Sequence, residues 1–254
     1  MMPHTPLPIT HPHFRAPHAF FTRHGGVSTG MYQGLNCNLH SSDELADILE
    51  NRKRVAAYFT KTPEYLCTLQ QIHSTMVVPL TEPPQAGAQG DAMVTNTPGL
   101  ILGILTADCC PVLFYDSTHH VIGAAHAGWK GALGGIIMET LRAMVALGAK
   151  MNCISVAIGP TIGPASYEVD TLFYQRFLEQ HADNGMFFIP GKRSGHYYFN
   201  LPAYIHHQLK PLGLASLYVL PYDTCAEPDL FFSYRYSVLS GETRYGCQLS
   251  AICL

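Results

Sequence analysis

The amino-acid sequence predicts one compact α/β (α+β) domain with mixed β-sheet layers flanked by helices, on three observations. Apolar residues make up 47% of the 254 residues and charged residues only 13%, as in globular proteins rather than disordered ones. Segments rich in β-branched and aromatic residues outnumber helical segments, and the two kinds alternate along the chain. Neither an internal repeat nor a linker rich in Gly, Ser or Pro divides the sequence, which favours a single domain.

The charge and the apolar pattern exclude several classes of partner. The formal net charge is −3, so we expect neither nucleic acid nor an anionic membrane surface to be a partner. The longest apolar stretch, around Ile101, ends at Asp108 and is too short to cross a bilayer. The N-terminus lacks the cationic start and apolar core of a secretory signal, so we expect a cytoplasmic protein.

The N-terminal part predicts an arm, a strand and a helix. Residues 1–15 are rich in proline and histidine and predict a flexible arm, which leaves residues 16–254 as the single domain. The stretch HAFFTRHGGVSTG predicts a short strand that ends in a glycine turn. Ser41 and Glu44 predict a capping box for a helix that ends at Pro63. The apolar face of this helix contains Leu45, Ile48, Leu49, Arg52, Val55 and Phe59.

The middle of the chain predicts mainly strands. EYLCTLQQIHSTMVVPL has the composition of paired strands around a polar break at residues 70–74, and TEPPQAGAQGDA is a loop. AMVTNTPGLILGILTADCCPVLFYD predicts two or three strands, and residues 100–105 are apolar on both faces, as in a central strand. HHVIGAAHAGWKG predicts a further strand that leads into a glycine turn.

The C-terminal half predicts three helices separated by strands. From Ala132 to Gly148 the periodicity is helical, and the apolar stripe contains Leu133, Ile136, Ile137, Leu141, Met144 and Val145. Asp170 and Asn200 predict the N-caps of two further helices. CISVAIGP and LASLYVLPYDT predict strands, and the tail from residue 230 has a β-rich composition.

The eight cysteines predict reduced thiols rather than disulfides. Apart from one adjacent pair they lie far apart, the chain is large, and no secretory signal precedes them. A CxxC pair is absent from the sequence, which excludes zinc ribbons and thioredoxin-type sites.

Three potential metal ligands stand at the ends of apolar strands, where glycine, proline or small polar residues follow. These are His73 in QQIHST, Cys109 in TADCCP and His126 in AAHAGWKG. One thiolate and two imidazoles suit Zn²⁺, and three protein ligands leave a fourth position for water or substrate, as in catalytic zinc sites. The residues alone leave another interpretation open, in which two hydrogen-bonded histidines and a thiol belong to the core.

The neighbours of these residues carry further hypotheses. Pro111 restricts Cys110 to an extended conformation, so Cys109 and Cys110 face opposite ways and only one can join the site. Asp108 either caps the turn, which we favour, or serves as a hydrogen-bond acceptor or general base. Lys130 follows a glycine turn at a predicted helix start, which is suited to an anion, although a merely solvated lysine fits the same pattern.

Several motifs in order and spacing resemble one protein family from about Phe20 to the C-terminus. They are FFTRHGGVSTGMYQGLN, QQIHS, GDAMVTNTPGL, TADCCPVLFYD, HAGWKG, AIGPTIGPASYEV and FFSYR. The chain thereby resembles the polyphenol oxidase (laccase-domain) family. That family was first named as a multicopper oxidase and is now regarded as a group of zinc-dependent purine nucleoside phosphorylases.

The resemblance implies a fold, an activity and a metal. The fold is a compact α/β domain related to bacterial toxin cysteine hydrolases. The zinc ligands are the histidine of Q-x-H, the cysteine of D-C-x-P and the histidine of H-A-G-W, which are His73, Cys109 and His126 here. Adenosine, inosine, guanosine or methylthioadenosine reacts with phosphate to give the base and ribose 1-phosphate, and adenosine is also deaminated.

The resemblance also assigns roles beyond the metal ligands. We expect Arg23 and Lys130 to bind phosphate and to stabilise developing charge. Asn36 and Asp91 match polar positions of the family pattern, and we expect them to contact ribose or base. Cys109, His126 and Asp108 are the candidate catalytic residues.

The sequence departs from the family pattern at three places. Ser166 stands where many members have cysteine. Lys130 replaces a frequent arginine, so a guanidinium that could bind phosphate through two hydrogen bonds is replaced by a single ammonium charge. The segment between Arg235 and Arg244 is longer than usual and lacks T-G-R, which we expect to alter substrate preference.

Three alternative functions stay open at this point. Cys109 and His126 are also the residues that a metal-free cysteine hydrolase would use. A copper-dependent phenol oxidase needs paired H-x-H segments, and only HPH at residues 11–13 has that form, so the sequence argues against it. A purine-sensing domain with a structural metal is the non-enzymatic alternative.

Overall fold

The computed structural model describes residues 5–254, and the first four residues of the predicted arm lie outside the described part. The strands are β1 (Pro8–Ile9), β2 (His18–Phe21), β3 (Leu66–Cys67), β4 (Val77–Pro79), β5 (Ala92–Thr95), β6 (Ile101–Thr106), β7 (Cys110–Asp116), β8 (Val121–Ala127), β9 (Ile154–Ile158), β10 (Glu168–Asp170), β11 (Phe188–Pro190), β12 (His196–Phe199), β13 (Ser216–Val219) and β14 (Gln248–Cys253). The helices are α1 (Leu45–Tyr58), α2 (Trp129–Gly134), α3 (Ile136–Ala146), α4 (Thr171–Gln180), α5 (Leu201–Leu209) and α6 (Tyr234–Leu239).

Two large mixed sheets form the body of the domain. The 5-stranded sheet has the order β1-β2-β14-β6-β3, and the 6-stranded sheet has the order β13-β9-β7-β8-β5-β4. Strands β10, β12 and β11 form a small third sheet. Both large sheets contain parallel and antiparallel pairs, as predicted for a mixed α/β domain.

The sheets pack face to face, with helices on both outer sides. Buried residues of β2, β6 and β14 meet buried residues of β7, β8 and β9 between the two sheets. Helix α1 covers the outer face of the 5-stranded sheet, and α3, α4 and α5 cover the outer face of the 6-stranded sheet. This order of layers confirms the predicted sheet layers flanked by helices.

Strand β6 shows why the apolar run at residues 100–105 has no polar face. Leu102 and Ile104 point into the core between the sheets, whereas Ile101 packs beneath α1 on the other side. Both faces of the strand are covered, so the side chains that point to either face are shielded from water. The prediction of a central, doubly buried strand is confirmed.

The predicted start of the first helix is wrong. Helix α1 begins at Leu45 with Glu44 as its N-cap residue, and no side chain caps it. The Ser41 hydroxyl donates to the Asn38 carbonyl oxygen at 2.7 Å and accepts from Asn36, so the preceding loop uses the group that was predicted to cap the helix.

The predicted buried face of α1 is confirmed at Ile48, Arg52, Val55 and Phe59 but is wrong at two leucines. Leu45 and Leu49 are 58% and 51% exposed, whereas Asn51 and Ala56 are fully buried. The Asn51 side chain donates to the backbone oxygens of Gly34 and Asn36 and accepts from Val27 N–H. A buried asparagine thereby ties the helix to the loop after β2, which a purely apolar pattern does not reveal.

Three further expectations need correction. The helix predicted from Ala132 to Gly148 is two helices, because Gly135 adopts a φ of +98° between α2 and α3. The strands predicted to pair around residues 70–74 lie in different sheets, β3 beside β6 and β4 beside β5. The tail contains helix α6 before β14, since Ser233 caps it by accepting from Tyr236 N–H.

The described part of the predicted arm contacts the domain. Strand β1 pairs with β2, and Phe14 is only 2% exposed in the core between the sheets. Every cysteine is a free thiol, which agrees with the predicted reduced state. Among the described helices, none has the length and apolar character that a membrane span requires.

Candidate functional site

The β7–β8 ladder brings Cys109 and His126 together. Cys109 directly precedes β7, and the antiparallel register sets Pro111 of β7 opposite His126 of β8. Two residues 17 positions apart therefore meet at one end of the 6-stranded sheet. Cys110, the first residue of β7, is fully buried on the opposite side, so Cys109 is the cysteine at the site.

Asp91 connects the third residue to this pair. It directly precedes β5, and its carbonyl oxygen accepts from the His126 N–H at 2.7 Å across the β5–β8 ladder. Its carboxylate accepts from the backbone N–H groups of Ile72, His73 and Ser74 and from the Ser74 hydroxyl. One buried carboxylate thus fixes the loop that carries His73.

The three side chains converge. A ligand atom from each of His73, Cys109 and His126 lies within 4.8 Å of the other two, and Cys109 Sγ is 3.8 Å from His73 Nε2. His126 is buried, Cys109 is half-buried and His73 is exposed, so the cluster is open on one side. A Cβ at Gly128 would lie 2.9 Å from Cys109 Sγ and from the His73 ring, so only glycine leaves room for the cluster.

Hydrogen bonds and charges set the ionisation of the cluster. Burial alone would raise the pKa of the Cys109 thiol, but the charge of His126 and hydrogen bonds from both histidines lower that pKa below its ordinary value. Burial opposes the charged form of His126, whereas the Cys109 thiolate and Asp91 raise its pKa. Burial would raise the pKa of Asp91, but hydrogen bonds from His126 and Ser74 hold it well below the ordinary range.

The residues fit a metal ion. His126 Nδ1 donates to Asp91 Oδ1 at 2.9 Å, which leaves Nε2 as the nitrogen that faces the cluster. A carboxylate that orients a ligating imidazole through its other nitrogen is a recurrent feature of zinc sites. One sulfur and two imidazole nitrogens are donors that zinc prefers, and the open side leaves space for a fourth ligand.

The backbone on both sides of the cluster is held in a sparsely populated conformation. His73 has a φ of +57° and Asp108 a φ of +87°. A non-glycine residue keeps such a conformation only where many surrounding contacts hold its backbone in place, and residues of this kind concentrate at functional sites. For His73 these contacts include Gln71, whose side-chain amide donates to Leu105 O and accepts from Leu105 N–H.

Asp108 does not cap its own turn, the role that the sequence favoured, but serves as a hydrogen-bond acceptor for residues distant in the sequence. Its carboxylate accepts from the Thr224 hydroxyl at 2.7 Å and from the Arg235 N–H at 2.6 Å. Its carbonyl oxygen accepts from Ile162 N–H and from the Thr161 hydroxyl. Burial raises the pKa of this carboxyl, although these hydrogen bonds oppose that rise. Asp108 thus joins three loops behind Cys109.

A cavity of about 360 Å³ opens on one side of Cys109 and His73, and we call it the cationic cavity. Lys130, in the first turn of α2, and Arg235, at the start of α6, bring positive charge to its wall. Arg235 donates to the backbone oxygens of Ser166 and Glu168, which fixes its guanidinium. Asp108 also lines this cavity. Most of the remaining wall is aromatic or aliphatic and includes Ile72, Trp129, Ile162, Tyr167, Leu201 and Tyr234.

A second cavity, of about 290 Å³, opens on the other side of the cluster, and we call it the polar cavity. Its wall contains Asn38, His40, Gln70, Gln71, Thr106 and Tyr245 besides the three cluster residues. The Thr106 hydroxyl is buried and has no hydrogen-bond partner among the described residues. Tyr234 of the cationic cavity and Tyr245 of the polar cavity pack edge to face, with ring centroids 5.2 Å apart.

Two predicted substrate-binding residues lie elsewhere. Arg23 donates to the Gln33 and Pro228 carbonyl oxygens, stacks on Phe232 and lines neither cavity. Asn36 is fully buried, where it accepts from Cys247 N–H and donates to side chains of its own loop.

Asp91, the third residue expected at ribose or base, lies behind the cluster. Both carboxylate oxygens are used by His126 and by the loop of His73, so its position suits orientation of the ligands. Gln71 and Arg235 were missed as site residues, although each stands in a motif of the family pattern, QQIHS and FFSYR.

Comparisons with known proteins match nearly the whole chain. The family model described as multi-copper polyphenol oxidoreductase laccase matches residues 17–254. A purine nucleoside phosphorylase of Deinococcus radiodurans is 40% identical over 224 residues, which are 88% of this chain and 85% of that protein. The Escherichia coli purine nucleoside phosphorylase YfiH is 33% identical over 220 residues, which are 87% of this chain and 88% of that protein.

Solved structures share the whole architecture. A Neisseria meningitidis protein superposes with a TM-score of 0.86 at 32% identity and covers 98% of this chain and 99% of its own. YlmD of Geobacillus stearothermophilus superposes with a TM-score of 0.83 at 29% identity and covers 98% of this chain and 96% of its own. The chain therefore belongs to the polyphenol oxidase (laccase-domain) family, whose curated relatives include proteins named purine nucleoside phosphorylase.

Proposed function

We propose that the protein is a zinc-dependent purine nucleoside phosphorylase with an additional adenosine deaminase activity. The observation that carries this proposal is the cluster of His73, Cys109 and His126 between a cationic and a polar cavity. Relatives named purine nucleoside phosphorylase at 33–40% identity support the same reaction class.

We assign the metal to the cluster. Cys109 Sγ and one nitrogen of each histidine would hold zinc, and Asp91 would orient His126 through its Nδ1. When bound, zinc supplies a Lewis acid that polarises substrate oxygens and lowers the pKa of coordinated water. Copper is the weaker candidate, because a multicopper centre needs paired H-x-H segments and the sequence has only HPH, in which His11 stacks on Tyr218.

The cationic cavity is the proposed phosphate site. Phosphorolysis forms a bond from a phosphate oxygen to ribose C1′, while the electron pair of the glycosidic bond leaves with the base. Lys130 and Arg235 would hold the phosphate dianion and limit its repulsion from the departing base. Arg235 thus takes the role that the sequence assigned to Arg23.

The two cavities together fit a nucleoside that lies across the cluster. Purine faces stack well on aromatic rings, and Tyr167 and Tyr234 line the cationic side. The Asn38 amide and the buried Thr106 hydroxyl line the polar side, where a sugar hydroxyl or base nitrogen can supply the partner that the Thr106 hydroxyl lacks among the described residues. The same placement would bring the exocyclic amine of adenosine within reach of the metal centre for deamination.

A metal-free cysteine hydrolase is the second candidate. Cys109 Sγ lies 3.8 Å from His73 Nε2, and the thiol pKa is lowered, as in nucleophilic cysteine–histidine pairs. The two candidates differ in their response to a chelator. A chelator abolishes turnover by a zinc enzyme and zinc restores it, whereas the cysteine hydrolase stays active without metal.

The test is product analysis with purified protein. Inosine, guanosine, adenosine and methylthioadenosine are incubated with and without phosphate, and the products are separated by liquid chromatography. We expect free base and pentose 1-phosphate only where phosphate is present, the pentose being ribose or, from methylthioadenosine, 5-methylthioribose. We expect inosine from adenosine under both conditions. Absence of turnover of every purine nucleoside by zinc-loaded protein would refute the proposal.

A further inference from the structure

A second group of metal-binding side chains lies at the opposite end of β7. In the described part of the chain, ligand atoms of Asp116, His119 and Cys153 all lie within 4.8 Å of one another. Asp116 ends β7, at the other end from Cys109. Because β7 has seven residues and a strand rises about 3.3 Å per residue, this second cluster lies roughly 20 Å from the first.

The sheet fixes the relative positions of these residues. Strands β7 and β9 are antiparallel neighbours, and Asp116 is the register partner of Ile154. Cys153 directly precedes Ile154, and His119 lies in the turn between β7 and β8. The cluster therefore joins two loops at a rigid sheet end, which holds its side chains in place.

The Asp116 carboxylate is buried and oriented by the backbone. Its Oδ1 accepts from the N–H groups of Thr118 and His119, and its Oδ2 accepts from Lys150 N–H at 2.9 Å. The remaining contact joins Oδ2 to His119 Nδ1 at 2.8 Å. This contact contains one proton between a carboxylate and an imidazole, and a cation can take the place of that proton.

We propose that Asp116, His119 and Cys153 form a second zinc site. A carboxylate oxygen, an imidazole nitrogen and a thiolate are all donors for Zn²⁺, and bond lengths of about 2.0–2.3 Å place tetrahedral ligands roughly 3.3–3.6 Å apart. His119 and Cys153 are half-buried, so modest side-chain rotation reaches this spacing. Binding releases the Cys153 thiol proton to water, while the imidazole proton moves from Nδ1 to Nε2 of His119 so that Nδ1 can bind the metal, and no redox change is involved.

Such a site would link the turn after β7 to the segment before β9 and would neutralise a buried carboxylate. Its residues line neither cavity at the first cluster, so the second site takes no part in the proposed reaction, and water would be the fourth ligand. The site is independent of the proposed function.

Alkylation of Cys153 tests the proposal without any activity measurement. The Cys109→Ala variant removes the other half-buried thiol, and its fold is checked by circular dichroism. Iodoacetamide labelling is followed by peptide mass spectrometry with zinc and with a chelator. We expect zinc to slow labelling of Cys153 at least tenfold. An unchanged rate would overturn the proposal.

Two histidine variants in the same background provide the matched comparison. His119→Ala should abolish the protection by zinc, whereas His120→Ala, which changes the exposed neighbouring histidine, should retain it. Equal protection in His119→Ala would contradict the assignment.

Cobalt gives a second readout that does not depend on the histidine variants. Co²⁺ added to Cys109→Ala should produce a thiolate-to-cobalt absorption band, and Cys153→Ser in that background should remove it. A missing band in Cys109→Ala, or a band that persists after Cys153→Ser, would overturn the proposed site.

Discussion

At the scale of single residues, the cluster depends on Asp91 as much as on its three potential ligands. This carboxylate contacts both the imidazole of His126 and the backbone of the loop that carries His73. A neutral amide at position 91 could not accept all of these hydrogen bonds, because its nitrogen is a donor. The substitution would therefore weaken the contacts that orient both His73 and His126.

The Asp91→Asn variant should therefore bind zinc about 10–100-fold more weakly, the range usual for loss of a partner that orients a ligand. Competition with a chromophoric chelator measures the affinity. The control is Asp47→Asn, which removes a carboxylate from the surface of α1. Equal zinc affinity in Asp91→Asn and the control would exclude the proposed role of Asp91.

Lys130 tests the assignment of the cationic cavity. Lys130→Ala should raise the KM for phosphate roughly tenfold or more, because a charge-assisted hydrogen bond contributes about 1.5–3 kcal/mol. The KM for the nucleoside should change much less. Arg142→Ala, which removes a positive charge from the exposed surface of α3, is the control and should leave both constants unchanged.

For single residues, the sequence predicts the site correctly where the alternation of side chains along a strand decides which residue faces it. Cys109 and Cys110 alternate across a strand, so one of them must leave the site. The sequence did not predict that Arg235, rather than Arg23, lines the cationic cavity, because this depends on where a chain segment about 200 residues away returns. Polarity and position in a motif do not contain that information.

At the scale of secondary structure, the helix N-caps show when a local sequence pattern is sufficient to predict where a helix begins. Asp170 and Asn200 accept from the N–H groups of Phe173 and Ala203, as predicted. Ser41 was predicted on equal grounds, but nearby loop atoms use its hydroxyl. A local motif thus predicts a cap only where the surrounding loops do not compete for it.

The cap of α4 gives a prediction on stability. Asp170→Ala should lower the free energy of unfolding by about 1 kcal/mol, because the Phe173 N–H loses its partner. This corresponds to a Tm lower by roughly 2–4 °C in a domain of this size. Asp170→Ser should recover most of the loss, and Asp183→Ala on the exposed surface should change the Tm little. A Tm in Asp170→Ala equal to that of the wild-type protein would refute this role of the cap.

At the scale of the whole molecule, the layers were predictable and the topology was not. Composition and alternating segments indicate sheet layers with helices outside, since both faces of a strand such as β6 must be covered. Strands β3 and β4 are only nine residues apart but enter different sheets. Their pairing is decided by contacts distant in the sequence, which periodicity does not encode.

The same topology explains how distant residues form one site. β5, β7 and β8 are neighbours, and residues at or next to one end of each contribute Asp91, Cys109 and His126. The loop before β4 adds His73 through its bonds to Asp91. We propose that this sheet end holds a zinc ion through one sulfur and two imidazole nitrogens.

Zinc-edge X-ray absorption spectroscopy tests that claim most directly. The Cys153→Ser variant is used, so that Cys109 is the only half-buried thiol left to bind zinc. We predict one sulfur neighbour at about 2.3 Å and two imidazole nitrogens at about 2.0 Å. A zinc ion surrounded by oxygen and nitrogen alone, or a zinc-loaded protein whose spectrum is unchanged by Cys109→Ala, would refute coordination by Cys109.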